Sequence, residues 1–192
     1  MTHTTSSNKI IVWMQSSLDG RTAGPNGEFD WPVIGNELHT HFVDVLGDAG
    51  LFCYGRTIYQ MMAGYWPTAD ESPESNANTV AYSRIWKPMP KLMFSRTVTQ
   101  ADWNTTVTAD LGEIRDYADR AAGPTYVFGG AQVVNELARR DLVDEYQLFV
   151  HPVVLGGGTS LFPALADRQT FTLVEARAFD GTVTGLRYVR AR

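Results

Sequence analysis

Tyr126-Val127-Phe128 runs directly into Gly129-Gly130, and the residues that follow repeat with helical spacing. Val133, Val134, Leu137 and Ala138 share one stripe, and Arg139 and Arg140 close the segment where cations favour the helix dipole. A strand that turns through paired glycines into a helix commits the chain to layered α/β packing. It also leaves backbone N–H groups pointing outward at the positive end of the dipole, a cup suited to an anion. Glycine permits positive φ and close approach of a phosphate to the backbone. The same unit serves packing alone in many α/β proteins, so it fixes architecture before it fixes chemistry.

The chain has 192 residues, enough for one domain with a sizeable core. The expected organisation is a frayed polar tail over residues 1–8 and a single domain over residues 9–192. Hydrophobic residues make up 44% and charged residues 19%, a globular balance. A formal net charge of −5 argues against broad binding to nucleic acid or to an anionic membrane. Cys53 is the only cysteine, which excludes an intrachain disulfide and a multi-cysteine metal site. His39, His41 and His151 show no metal-ligand spacing, so no metal is expected. The tail lacks the apolar core of a signal peptide, and no apolar run is long enough to span a bilayer. A soluble, cytoplasmic protein is therefore expected.

Read in order, Lys9 to Met14 is a buried first strand, followed by a long Gly- and Pro-containing loop from Gln15 to Pro32. Loops of that length in compact domains are usually functional. Asn36 to Asp48 reads as a helix with Asn36 as N-cap and Leu38, Phe42, Val45 and Leu46 on one face. Leu51 to Tyr54 is a strand running into Gly55-Arg56-Thr57 and a short helix, Ile58 to Met62. Residues 64–79 read as an exposed loop, with a helical turn around Tyr82, Ile85 and Trp86. Strands are expected at Lys91 to Phe94 and Thr105 to Thr108, and a helix capped by Asp110 follows. After the Gly129-Gly130 unit come a long strand, Glu145 to Leu155, and a closing hairpin, Phe171 to Phe179 with Thr184 to Val189. Alternating strands and helices followed by strands imply a mostly parallel sheet with an antiparallel C-terminal edge.

Three of these strands end in turns bearing phosphate-ligand types: Gly55-Arg56-Thr57, Ser95-Arg96 and Gly129-Gly130-Ala131. Ligands of open α/β sheets bind at the carboxyl ends of strands. Two arginines, a serine, a threonine and a backbone cup suit a dinucleotide with an extra phosphate, which favours NADPH over NADH.

The pattern resembles the dihydrofolate reductase-like superfamily, and most closely the reductase domain of bacterial riboflavin biosynthesis with its stand-alone relatives. The matching residues are Ser17-Leu18-Asp19-Gly20-Arg21-Thr22-Ala23, Gly55-Arg56-Thr57, Phe94-Ser95-Arg96-Thr97, and the block from Val127 through Leu142-Val143-Asp144-Glu145 and His151-Pro152 to Leu161-Phe162-Pro163. The likeness runs roughly from residue 9 to residue 190. It implies a three-layer α/β fold with a central mixed, mostly parallel sheet, helices on both faces and an antiparallel C-terminal hairpin. NADPH would lie across the strand ends. Gly129 and Gly130 would hold the pyrophosphate, with Ala131, Gln132 and Val133 offering N–H groups. Gly55, Arg56 and Thr57 would reach phosphate, and Ser95 and Arg96 would meet the adenosine-side phosphate. The loop from Ser16 to Trp31 would cover the nicotinamide, with backbone near Gln15, Gly20 and Thr22 holding its amide.

The resemblance also implies a hydride acceptor and a proton source. Glu37 is the positional match of the acid that anchors the pterin in folate reductases, while riboflavin-type reductases share Asp19. Asp30 beside Trp31 is a third acidic candidate. A donating carboxyl needs burial to raise its pKa, whereas a first helical turn stabilises the anion. Trp13, Trp31, Phe42, Tyr59 and Trp66 could line a flat heterocycle site, with Asp30, Trp31 and Trp66 as substrate contacts. The zinc deaminase that precedes this domain in bifunctional riboflavin enzymes is excluded, because the paired cysteines it needs are missing. The expectation is thus an NADPH-dependent reductase of a pyrimidine or pterin, resembling 5-amino-6-(5-phosphoribosylamino)uracil reductase. Dihydrofolate reductase activity and a non-catalytic nucleotide-binding module are the alternatives. The riboflavin-type relatives imply a homodimer through the C-terminal part of the sheet.

Overall fold

A computed structural model describes residues 8–162, 164, 165 and 167–191. Residues 1–7 of the expected tail and Pro163 of the family-like block lie outside them. Asn8, the last tail residue, is tied down: its side-chain amide donates to the carbonyls of Ala118 (3.1 Å) and Ala121 (2.7 Å).

The elements in chain order are β1 (Ile10–Ser17), β2 (Arg21–Ala23), α1 (Asn36–Leu46), β3 (Leu51–Gly55), α2 (Arg56–Tyr65), α3 (Ala77–Trp86), β4 (Lys91–Phe94), β5 (Thr105–Thr108), α4 (Ile114–Arg120), β6 (Thr125–Val127), α5 (Ala131–Arg139), β7 (Glu145–His151), β8 (Thr159–Ser160), β9 (Phe171–Phe179) and β10 (Val183–Arg190). Eight strands form one sheet in the order β5-β4-β3-β6-β1-β7-β10-β9, and β2 pairs with β8 in a small separate ribbon. From β5 to β7 every pairing is parallel; β10 and β9 run antiparallel and close the sheet.

Strand side chains alternate between faces, and that period divides the core in two. Ile10, Val12 and Cys53 meet Ile114, Ala118, Val134 and Leu137 of α4 and α5. Ile11, Trp13, Phe52 and Tyr54 meet Leu38, Leu46, Tyr59, Tyr82 and Trp86 of α1, α2 and α3. Burying each such side chain fully contributes roughly 1.5–3 kcal/mol, so the two layers fix the sheet between its helices.

Several boundaries differ from the sequence reading. The polar stretch 64–79 contains the end of α2, a 3-10 turn at Ala69–Glu71 and the start of α3. Asn76 caps α3 by accepting from the Thr79 N–H at 2.9 Å. β7 stops at His151 rather than Leu155, because Pro152 has no N–H to continue the ladder. The N-cap of α1 is Gly35 rather than Asn36, and its side-chain partner comes from the far end of the chain. Asp180, in the β9–β10 turn, accepts from the N–H groups of Glu37 (3.0 Å) and Leu38 (3.1 Å).

Lys91 is buried at the start of β4, where its ammonium donates to the carbonyls of Trp86, Met89 and Trp103 and sits 4.0 Å over the Trp86 ring. Burial pushes its pKa down to about 7. The three acceptors bind the end of α3 to the loop before β5.

Candidate active site

The carboxyl ends of β1, β3 and β6 converge on the paired glycines. The Gly55 N–H donates to the Gly129 carbonyl at 2.5 Å. A Cβ on Gly55 would stand 3.0 Å from the Gly130 nitrogen and 3.2 Å from Val133 Cγ2, so this approach needs glycine. Gly129 has φ +96, which an L side chain rarely adopts, and the Gly129–Gly130 peptide is cis. α2 and α5 therefore begin side by side, each directly after a strand end.

Beside them lies a cavity of about 630 Å³. Around the strand ends and helix starts it is lined by Gln15, Thr22, Thr57, Gly130, Ala131 and Thr159. Along the covering loop and the helices it is lined by Phe29, Asp30 and Ile34, by His39 and Phe42 of α1, and by Met61, Met62, Trp66 and Tyr82. Trp13 and Phe128 form part of the wall between sheet and helices. Of the candidate site residues, the structure thus brings Gln15, Thr22, Asp30, Thr57, Trp66, Gly130 and Ala131 to one cavity.

Gln15 is oriented from behind. His151 is buried, and its Nδ1 accepts from the Val33 N–H at 3.2 Å. That fixes the proton on Nε2, which faces Gln15 Oε1 at 2.7 Å. The Gln15 carbonyl end is thereby committed, and its NH2 is the group it can offer to the cavity. Burial lowers the pKa of His151, so the neutral ring this arrangement requires is the favoured form.

The other candidates have different surroundings. Asp19 accepts from the Ser17 hydroxyl (2.7 Å) and the N–H groups of Leu155 (3.1 Å) and Gly156 (2.9 Å). These bonds, the Ser17 hydroxyl foremost, hold its carboxyl down at about 2. It is an anion at neutral pH, tying the β1–β2 turn to the glycine turn after β7, and is not poised to donate a proton. Gly20, with φ +70, completes the same turn, and its carbonyl accepts from the Leu161 N–H at 2.9 Å. Glu37 is exposed and does not line the cavity; its carboxylate accepts from the Asp180 N–H at 2.7 Å, returning the Asp180 cap. Trp31 packs against Phe29 and His151 outside the lining. Val133 is a core residue, and its N–H already donates to the Gly130 carbonyl at 2.9 Å, which leaves Ala131 and Gln132 at the mouth of α5. Arg56 and Arg96 are exposed beyond the cavity, on neighbouring strand ends. The Arg56 guanidinium donates to the Thr97 hydroxyl at 3.3 Å, and Ser95 Oγ accepts from the Thr97 and Val98 N–H groups.

Phe29, Ile34, Met61, Met62, Phe128 and Thr159 were not singled out from sequence for this site. Their signal is apolar residues where no core is required: Phe29 and Ile34 lie in a Gly/Pro loop and remain 42% and 40% exposed. Met61 sits on the side of α2 turned away from the core and is 46% exposed. Among the described residues, no group of three or more His, Cys, Asp or Glu could hold a metal, and no helix is long and apolar enough to cross a membrane.

A family model described as the RibD C-terminal domain matches residues 8–184. The chain is 30% identical over 193 residues to the uncharacterized protein YyaP of Bacillus subtilis (strain 168), covering 98% of each. Among solved structures, it is similar to a diaminohydroxyphosphoribosylaminopyrimidine deaminase/5-amino-6-(5-phosphoribosylamino)uracil reductase from Thermotoga maritima, with TM-score 0.66 and 15% identity over 96% of this chain and 57% of that one. It is also similar to dihydrofolate reductase from Enterococcus faecalis complexed with NADP(H), with TM-score 0.65 and 13% identity over 97% and 98% of the two chains.

Proposed function

The chain belongs to the RibD C-terminal domain family, a reductase family of the riboflavin-biosynthesis type, and on that premise we propose that it is an NADPH-dependent reductase of a small heterocycle. The observation that carries this reading is the junction of Gly55, Gly129 and Gly130. It opens two helix starts and Thr57 onto a cavity large enough for a flat ring. Thr57, Gly130 and Ala131 line the cavity at the two helix starts and offer a hydroxyl and backbone N–H groups, so the residues present fit a dinucleotide pyrophosphate.

In this assignment Thr57, Gly130, Ala131 and Gln132 hold the pyrophosphate. Arg56, Ser95 and Arg96 hold the 2′-phosphate, for which the guanidinium fork is matched. Gln15 presents its NH2 toward the nicotinamide amide, with Thr22 beside it. When bound, the cofactor supplies a hydride to a C=N or C=O carbon. The chain's own part is to orient the two rings and exclude water, with Phe29, Phe42, Met61 and Trp66 walling the reaction space. Of the three acidic candidates only Asp30 lines the cavity, and it receives the substrate-facing role. The protein works as a homodimer through the β9–β10 hairpin, whose outer strand is exposed along most of its length.

The test is a quench titration of Trp13 and Trp66 fluorescence with NADPH and with NADH, followed by NADPH oxidation assays with pyrimidine and pterin substrates. Tighter binding of NADPH is expected, and Arg96→Ala should weaken NADPH far more than NADH. Equal losses for both would remove the 2′-phosphate assignment; no binding of either would remove the cofactor reading. Dihydrofolate reductase activity is the second reading, favoured by Asp30 as the single carboxylate of the lining, and dihydrofolate in the same assay decides it. NADPH binding with no turnover of any heterocycle would favour a non-catalytic nucleotide-binding module.

A further inference from the structure

The substrate end of the cavity is set apart by an apolar wall and one carboxylate. Phe29, Phe42, Met61, Met62 and Trp66 wall it, and Asp30 is its one carboxylate. Among the described residues, no lysine or arginine lines any part of this cavity. Arg21 adjoins the lining residue Thr22 but is outside the lining; its guanidinium donates to the Gly158 carbonyl (3.4 Å), and its Nε lies 4.0 Å from Asp19 with no hydrogen-bond partner of its own. Arg84 is exposed on α3 and outside the lining. Arg56 and Arg96 lie beyond the other end, where a substrate phosphate would compete with the cofactor.

A helix start could replace a cation as a phosphate ligand, and α1 begins one residue after Gly35, next to the lining residue Ile34. That start is already filled. The Asp180 carboxylate occupies the N–H groups of Glu37 and Leu38, and a Cβ on Gly35 would collide with it at 2.3 Å. Asp30 is thus the one carboxylate of the lining, and the start of α1 is already taken by Asp180. A phosphate dianion placed there would lose its water, find no cation among the described lining residues and meet the Asp30 carboxylate. The neighbour from Thermotoga maritima is named for a substrate that carries a phosphoribosyl group, and nothing at this end of the present cavity would receive one.

We propose that the substrate of this protein is an unphosphorylated, flat heterocycle with an apolar face, held between the Phe29–Ile34 loop and the Met61–Trp66 side of α2. This rests on the reductase reading for its chemistry, but the selection against phosphate follows from the cavity alone. Its polar edge is met by Asp30, which accepts ring or amino N–H groups and cannot accept from a phosphate.

The test uses the intact protein loaded with NADPH and two ligand pairs, followed by tryptophan quench and isothermal titration. The pairs are 5-amino-6-(5-phosphoribosylamino)uracil with its dephosphorylated form, and 6-hydroxymethyl-7,8-dihydropterin with its diphosphate ester. The unphosphorylated member should bind at least about tenfold more tightly in whichever pair binds. Met61→Lys, which sets an ammonium at the cavity wall, should bring the phosphorylated member level with its partner or above it, with an unchanged circular dichroism spectrum as the folding control. Equal or tighter binding of the phosphorylated members by the unaltered protein overturns the proposal, and so does failure of both pairs to bind. If NADPH itself fails to bind, the titrations are repeated without it: the reductase reading then falls, while the ranking within each pair still decides the proposal.

Discussion

His151 uses both ring nitrogens although it is buried, and the two bonds serve different elements. Nδ1 accepts from Val33 in the loop over the cavity, and Nε2–H donates to Gln15 at the end of β1. Protonation would put a hydrogen on Nδ1 facing the Val33 N–H, so the imidazolium cannot keep the loop bond. The unfolded chain takes up this proton near pH ~6.5, and burial holds the folded value lower. Between those values the unfolded state binds more protons, so stability is full above about pH 6.5 and falls as pH drops through that window. His39 and His41 are also lowered, chiefly by burial, and contribute with the same sign. The contribution of His151 is therefore the difference between wild type and His151→Leu in urea denaturation from pH 5 to pH 8, and the variant should show the flatter curve. His151→Leu should also weaken NADPH by about tenfold, one hydrogen bond's worth, with partial recovery in His151→Gln, which keeps a donor and an acceptor. Equal NADPH affinity in both variants and wild type would show that Gln15 needs no such positioning.

The same economy operates between elements. α1 has no side-chain cap of its own, and the β9–β10 turn supplies one. Asp180 sits there at φ +51 and Gly181 at φ +63, a left-handed pair that reverses the chain in the three-residue turn between Phe179 and Val183. The turn thus does two jobs, closing the hairpin and holding the start of the helix that forms one wall of the cavity. Asp180→Ala should cost about 1 kcal/mol in denaturant midpoints, the usual value of a lost cap, and Asp180→Asn less. Glu37→Gln should change stability little and cofactor-dependent turnover not at all, since its carboxylate faces the turn. A large turnover loss in Glu37→Gln would return Glu37 to the chemistry. This trans cap was not legible in sequence, because residues 37 and 180 are brought together only by the closed sheet. The start of α3 was missed for a local reason, while its second half reads as the helical turn around Tyr82, Ile85 and Trp86: Asn76 is a good cap, but the residues before it are so polar and turn-prone that they read as one loop. By contrast Lys91–Phe94 and Thr105–Thr108 were read without error, being short, β-prone and bounded by turn residues.

On the scale of the whole molecule, the parallel order of the sheet was legible because each βα unit announces itself by period and by glycine. The glycine junction was legible for the same reason, since Gly55, Gly129 and Gly130 sit where strands must end. The apolar wall of the cavity was not: Phe29, Ile34 and Met61 acquire meaning only when the loop, α1 and α2 face one another. On the face of β7, β10 and β9 beside α1 the molecule carries a second concavity of about 580 Å³, with the fully buried Glu145 in its lining. Burial would raise that carboxyl, but hydrogen bonds from Arg187 (2.5 Å), Gln147 (2.7 Å) and Lys9 (3.1 Å) outweigh it and keep the group below the usual range. The ion network pins β1, β7 and β10 together and so holds the hairpin to the parallel part of the sheet. Beyond β10, β9 is the outermost strand, with Leu173 and Val174 each 51% exposed. A register shift opposite Arg187/Tyr188 makes this edge irregular, which discourages open-ended strand addition while leaving its apolar surface available. The proposed dimer accordingly closes through that surface as a two-fold contact, in which the same residues meet on both copies. Leu173→Lys/Val174→Lys places four ammonium groups in such an interface and nothing in the cavity. Sedimentation should shift from dimer to monomer while NADPH affinity stays unchanged. A variant that still sediments as a dimer would move the contact elsewhere, and a wild-type monomer would remove it.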